Sequence, residues 1–164
     1  MQIKYKKQDK VCIIFFVLMI VTAIIIFLFS SQDGKKSTST SDNFIKQIVK
    51  IIYGNDIDEA KLEKITDDLS FYIRKLAHFT IYTIFGINAF GFINTFNITL
   101  KRKILFAILI GALYASSDEF HQLFSIGRSA SIKDVGIDCL GVAFGILLIN
   151  ITIYVKNNLD KKKE

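Results

Sequence analysis

The chain has 164 residues, of which 51% are hydrophobic, with 15 Phe and neither Pro nor Trp. Its apolar residues gather in blocks too long for a soluble core, which excludes an ordinary soluble enzyme, a disordered chain and a disulfide-stapled secreted domain. The formal charge of +6 comes from basic residues set beside those blocks and does not call for nucleic acid, while Cys12 and Cys139 fall inside the blocks and outline neither a disulfide framework nor a metal motif.

Residues 1–10 form a basic leader carrying Lys4, Lys6, Lys7 and Lys10. Val11 to Phe29 follows, nineteen residues without a charge, and about 20 apolar residues cross a bilayer's hydrocarbon core as a helix. The run exceeds a signal peptide's apolar region and leaves through Phe-Ser-Ser-Gln rather than a small-residue cleavage site, so an uncleaved anchor is expected and a cleaved signal is the alternative. Residues 30–71 read as a loop between spans. It opens on a Gly/Ser/Thr-rich linker, Gly34 to Ser41. Phe44, Ile45, Ile48, Ile51 and Ile52 then recur at helical spacing up to a stop at Gly54, and Ile57, Leu62, Ile65 and Leu69 make a weaker pattern. Both patterns predict short amphipathic helices, with a loosely ordered loop as the alternative.

Three further spans are predicted at about residues 72–96, 103–124 and 132–155, followed by a basic tail over 156–164 with Lys156, Lys161, Lys162 and Lys163. The fold class is therefore an all-α integral membrane protein of four transmembrane helices, with short amphipathic helices in an external loop between the first two spans. The leader, the turn residues Lys101, Arg102 and Lys103, and the tail carry the cations that mark the cytoplasmic side, so both termini are expected inside and the loop over 30–71 outside.

Charges inside or beside the spans carry the functional signal, because each costs about 2.5–3.5 kcal/mol on insertion scales. Arg74, His78 and Tyr82 share a face of the second span, with Lys75 beside them; Asp118 and Gln122 share a face of the third, beside Glu119 and His121; Asp134, Asp138, Gly141 and Gly145 share a face of the fourth. Asp118 lies fifteen residues after Lys103, about 22 Å along a helix, Asp138 lies eighteen before Lys156, about 27 Å, and His78 twenty-three before Lys101, about 34 Å. Against a core about 30 Å thick, all three sit near one boundary, on the outer side. Arg74, Lys75, Arg128 and Lys133 balance Asp118, Glu119, Asp134 and Asp138. Asp118 and Glu119 end a helix, where the dipole disfavours anions, and are expected to take Arg74 or Arg128 as counter-ion. Asp134 is also placed to cap the fourth span within Ser131-Ile-Lys-Asp134. The blander readings are a packing face for Gly141-x-x-x-Gly145, a packing aromatic for Tyr82, snorkelling for Lys75 and Lys133, and helix-to-helix bonding for His78.

RKLAHFTIY in the second span and YASSDEFHQLFSIGRSASIKDVGIDCLGVAFG from Tyr114 to Gly145 resemble the VanZ-like family, as does Phe-Ser-Ser-Gln at the exit of the first span. The founding member of that family is associated with resistance to teicoplanin, a lipid-tailed glycopeptide. The resemblance covers about residues 11–150, implies a small bacterial multi-pass membrane protein, and assigns no reaction. The positions it marks are Arg74, Lys75, His78, Asp118, Glu119, Gln122, Arg128, Asp134 and Asp138.

The functional expectation is an outward pocket in which these nine residues bind the head group of a membrane lipid or lipid-linked amphiphile, with the arginines on phosphate or carboxylate. The partners expected are thus lipidic, with no nucleic acid, no cofactor and no resident metal. The alternative is a membrane-embedded enzyme on a lipid-linked cell-envelope substrate, with His78, Asp118, Glu119 and Asp138 as candidate acid–base groups, or with these and His121 around a divalent metal.

Overall fold

The computed structural model describes residues 7–128 and 130–161; the expectations resting on Lys4, Lys6, Lys162 and Lys163 lie outside the described residues. The described residues form five helices: α1 (Lys7–Ser30), α2 (Gly34–Tyr53), α3 (Glu59–Asn94), α4 (Leu100–Gln122) and α5 (Ile132–Lys161). Four of them, α1, α3, α4 and α5, are long and apolar enough to cross a membrane.

Two parts of the predicted loop take a different form. Gly34 to Ser41, expected as a linker, is the opening of α2. Its hydroxyls fold back on the preceding turn: Thr38 donates to the Gly34 carbonyl at 2.9 Å, Thr40 to Lys36 at 2.9 Å and Ser41 to Ser37 at 3.2 Å. Side chains that compete with the backbone in a loop are here occupied within the helix. The helix stops at Gly54, as its position suggests, with φ +87° and its N–H on Lys50 O at 3.0 Å. The second pattern, around Leu62 and Ile65, is the start of α3 rather than a helix of its own. Asp58 caps it by accepting from Lys61 N at 3.2 Å. No Pro or Gly interrupts the chain from there to Gly86, so α3 runs 36 residues, about 54 Å at 1.5 Å per residue. That exceeds the about 30 Å of a hydrocarbon core, and the charged first turns, with Glu59, Lys61, Glu63, Lys64, Asp67 and Asp68, are the part unsuited to it. Ile45 and Val49 of α2 pack there on Leu62, with Ile57, Ile65 and Ile73 around them.

The centre of the bundle is α3. Glycines set its approach to α5: a Cβ at Gly86 would collide with the Val142 backbone, at Gly141 with Phe79 O, and at Gly145 with Thr83 O. The small-residue face expected at Gly141 and Gly145 is therefore the α3–α5 contact. Residue numbers rise together along this seam, from Phe79–Gly141 to Thr83–Gly145, so the two helices run in the same direction and α4 returns between them. Tyr82, Phe85, Phe90, Val142 and Ile146 fill the core. α1 is tied on by polar bonds: Asn88 Nδ2 donates to Thr22 Oγ1 at 3.0 Å, and the Tyr114 hydroxyl donates to Ala23 O at 2.5 Å. At the opposite turn, Lys103 Nζ donates to Asn94 O at 3.0 Å and to Asn94 Oδ1 at 2.9 Å, closing the C-terminus of α3 with a cation.

Candidate functional site

The nine marked residues lie at one end of the bundle, where α4 ends, α5 begins and α3 is midway along its length. The loop between α4 and α5 builds the rim. Gly34 N–H donates to Ile126 O at 2.9 Å, and Gly34 packs so closely on Gly127 O that a Cβ there would collide. Gly127 has φ +72°, a left-handed conformation that suits glycine. Glu119, buried in the last turn of α4, accepts from Ser131 N–H at 2.9 Å and so fixes the entry to α5.

Inside this rim the marked residues separate into two groups. The first is interior. Asp118, Glu119, Gln122 and Asp138 are 4%, 3%, 5% and 0% exposed. Gln122 Nε2 donates to Asp118 Oδ2 at 3.2 Å. His78 Nδ1 lies 3.5 Å from Asp138 Oδ1. One donor atom from each of His78, Asp118 and Asp138 lies within 4.8 Å of the other two. The phenol of Tyr82, fully buried, sits beside Asp118 and Asp138, so a residue read from sequence as a packing aromatic also forms a wall of the cluster. Lys75 and Asp134 make an ion pair next to it; the carboxylate expected to cap α5 is engaged by a cation.

The second group faces a cleft of about 500 Å³ between the end of α1, α2 and α3. Ile26, Phe29, Phe44, Ile73 and Ile84 are among its apolar walls; Gln32, Ser37, Thr40 and Ser41 add neutral polar groups, and Arg74, Arg128 and His78 are its ionisable ones. The counter-ion expectation needs correcting here. Arg74 Nη1 donates to Thr38 Oγ1 at 2.9 Å and Arg128 Nη2 donates to Phe29 O at 3.4 Å. Among the described residues the ion pairs are Lys75–Asp134 and His78–Asp138, and neither arginine pairs with Asp118 or Glu119. The reason is axial: Arg74 and His78 share a helix face, but Arg74 lies one turn before His78, where α2 supplies the Thr38 hydroxyl. Burial pulls the Arg128 guanidinium below the ordinary arginine value; Asp118 opposes that shift and the neighbouring Arg74 adds to it. His121 stands apart, its ring 4.6 Å from that of Phe27, and neither it nor Glu119 belongs to the three-residue donor group.

The VanZ/LLP1 family model matches residues 15–153. The chain belongs to the VanZ/LLP1 family. No curated protein and no solved structure matches it. As a VanZ/LLP1 protein with four apolar helices of spanning length, it is a multi-pass membrane protein, and the matched region encloses both groups of residues and the cleft. Thr38, Gly34 and Gly127 complete the site in this VanZ/LLP1 chain. Gly127 and Gly34 carry a weak local signal as glycines beside polar turns, whereas Thr38 as a partner of Arg74 depends on a contact between residues 36 positions apart.

Proposed function

We propose that this VanZ/LLP1 protein binds a lipid-tailed amphiphile with an anionic head group in the cleft between α1, α2 and α3, on the outer face of a bacterial cell membrane. The observation that supports this reading is the chemistry of the cleft: apolar walls of Ile26, Phe29, Phe44, Ile73 and Ile84 share one cleft with Arg74 and Arg128. Two guanidiniums held by neutral oxygens keep N–H groups for a phosphate or carboxylate. The tail would lie along the apolar walls, in the manner of pockets that orient a ligand with a few polar groups. A lipid-tailed glycopeptide such as teicoplanin has this combination of tail and anionic groups, and its capture at the membrane surface would lower susceptibility. The test compares an acylated glycopeptide with its deacylated form, both titrated against detergent-purified protein. The acylated form should bind more tightly. Arg74→Gln and Arg128→Gln should each weaken it about 10- to 150-fold, the range of a lost charged hydrogen bond. Equal binding of the two forms, or unchanged affinity in both variants, rules the reading out.

The reading places the cleft outside, with Lys101, Arg102 and Lys103 in the cytoplasm, as the distribution of Lys and Arg favours. Single cysteines introduced at Ser37 and Arg102, in a chain lacking Cys12 and Cys139, report this with an impermeant thiol reagent on intact cells. Position 37 should label and position 102 should not; the reverse pattern puts the cleft on the inner side.

A second reading, turnover of a lipid-linked cell-envelope substrate, is favoured by the His78–Asp138 approach of 3.5 Å at the cleft wall, which suits proton transfer. It predicts a chemically altered amphiphile recovered from the protein, where binding alone returns it unchanged.

A further inference from the structure

The interior acids are short of cations. Asp118, Glu119 and Asp138 are at most 4% exposed. Glu119 has one oxygen on Ser131 N–H and Asp118 one oxygen on Gln122. Asp138 is fully buried, and neither of its oxygens has a hydrogen-bond partner among the described residues. Among the described residues no lysine or arginine forms an ion pair with these three acids: Lys75 pairs with Asp134, and the bonds of Arg74 and Arg128 go to the neutral oxygens of Thr38 and Phe29. Among the described residues, His78 alone comes within ion-pair distance of one of them, Asp138. A buried carboxylate in such surroundings is paired, neutralised or coordinated to a metal.

We propose that His78, Asp118 and Asp138 form a site for one divalent transition-metal ion, zinc or manganese, against the sequence expectation of no resident metal. The geometry suits it. Donors about 2.1 Å from a tetrahedral ion stand about 3.4 Å apart, and His78 Nδ1 is 3.5 Å from Asp138 Oδ1. The third donor closes within 4.8 Å, a gap that a shift of about 1.4 Å removes. One imidazole with two carboxylates is a borderline to hard donor set, which matches zinc or manganese better than copper(I) or an iron–sulfur cluster. Gln122 donates to Asp118 Oδ2, as outer-shell partners of ligating carboxylates do. His78 also lines the cleft, so the ion has a way in, and coordination positions left by three protein ligands can take water or an anionic oxygen. The proposal stands apart from amphiphile binding, since Arg74 and Arg128 are not among the ligands.

The test uses the full chain, purified without a histidine tag, with Zn²⁺ and Mn²⁺ as the probes and no amphiphile. After chelator treatment and loading, followed by desalting, elemental analysis should find about one ion per chain. Either ion should raise the melting temperature of the chelator-treated protein. Asp138→Asn and Asp118→Asn, near-isosteric changes, should abolish both effects, and Gln122→Ala should weaken metal affinity about 10- to 100-fold. A Mn²⁺ spin-resonance titration of the wild-type chain gives the same answer without any variant. Less than about a tenth of an ion per chain together with no thermal shift, or equal loading of wild type and Asp138→Asn, overturns the proposal. The first result leaves a shared proton as what neutralises the cluster; the second marks the metal as adventitious. Neither result bears on glycopeptide binding, so the two readings fail separately.

Discussion

Along one stretch of the α3–α5 seam, Gly86, Gly141 and Gly145 bring backbone against backbone. One to two turns away, the same two helices set Lys75 against Asp134 and His78 against Asp138. The first stretch is dry and admits no added carbon; the second is polar and opens through His78 to a cleft. Because the helices run parallel, both stretches share one register, so the glycine contact fixes which residue meets which at the polar end. A bilayer supplies little hydrophobic force between helices, and close backbone packing must take its place. The polar stretch is the costly part of the seam to bury, and the glycine stretch holds it in register.

The glycine stretch should therefore be the more fragile. In Gly145→Leu the new Cβ meets the Thr83 carbonyl, a backbone atom that cannot swing aside. Ordinary overpacking costs about 1–3 kcal/mol, and at about 2–4 °C per kcal/mol for a chain of this size the melting temperature should fall by about 2–12 °C, or folded protein should fail to accumulate. Gly136→Leu is the matched control, since nothing lies within 4 Å of its added Cβ. Thermal unfolding followed by size-exclusion chromatography measures both. Equal tolerance of the two substitutions would mean that the seam does not set the register.

The rim should be intermediate. Glu119→Ala removes the acceptor of Ser131 N–H and leaves a partly buried donor unpaired, at about 1–3 kcal/mol. The loss should be local: faster hydrogen exchange over residues 123–131, with exchange in α1 and in the C-terminal half of α3 unchanged. Uniform acceleration throughout would instead make Glu119 part of the global fold.

How these regions read from sequence follows from what each depends on. The apolar runs of the spans show directly, and the first, expected at 11–29, is found within Asp9–Ser30. Placing His78, Asp118 and Asp138 at one level required only helix rise and the distance to flanking lysines, and the structure joins them. Gly34 to Ser41 misled because Gly, Ser and Thr are as common in loops as in helices whose hydroxyls bond back along the chain. The start of α3 misled because its weak periodicity hid a continuous helix with no breaker before Gly86. Partner choice was the least legible. Which cation reaches which acid depends on how α3 is set against α5 and on α2 lying against it, and neither is written in a local pattern. Lys75 rather than an arginine meets an acid for that reason, and Tyr82 reaches the cluster because its ring points inward from the face it shares with His78.

The smallest expected effect separates the two polar pairs on the seam. Lys75 and Asp134 have side chains 25% and 21% exposed, and at the membrane boundary where the reading places them water would reach both ions and screen their attraction. Pairs of this kind are worth about 0–1 kcal/mol. Asp138 has a side chain 1% exposed, and removal of its partner leaves an acid without that help. A double-mutant cycle distinguishes the two cases. Lys75→Met keeps the apolar stem against Phe71, which the ammonium now overlies at 5.3 Å, and Asp134→Asn keeps the shape of its partner. Their coupling energy, read from chemical denaturation in detergent, should be at most about 1 kcal/mol and should shrink in high salt. The corresponding cycle with His78→Gln and Asp138→Asn should couple more strongly and respond less to salt, because buried groups are screened less. If the Lys75–Asp134 cycle is the stronger of the two, the exposed pair organises the polar end and the buried cluster loses its claim to be the centre of the site.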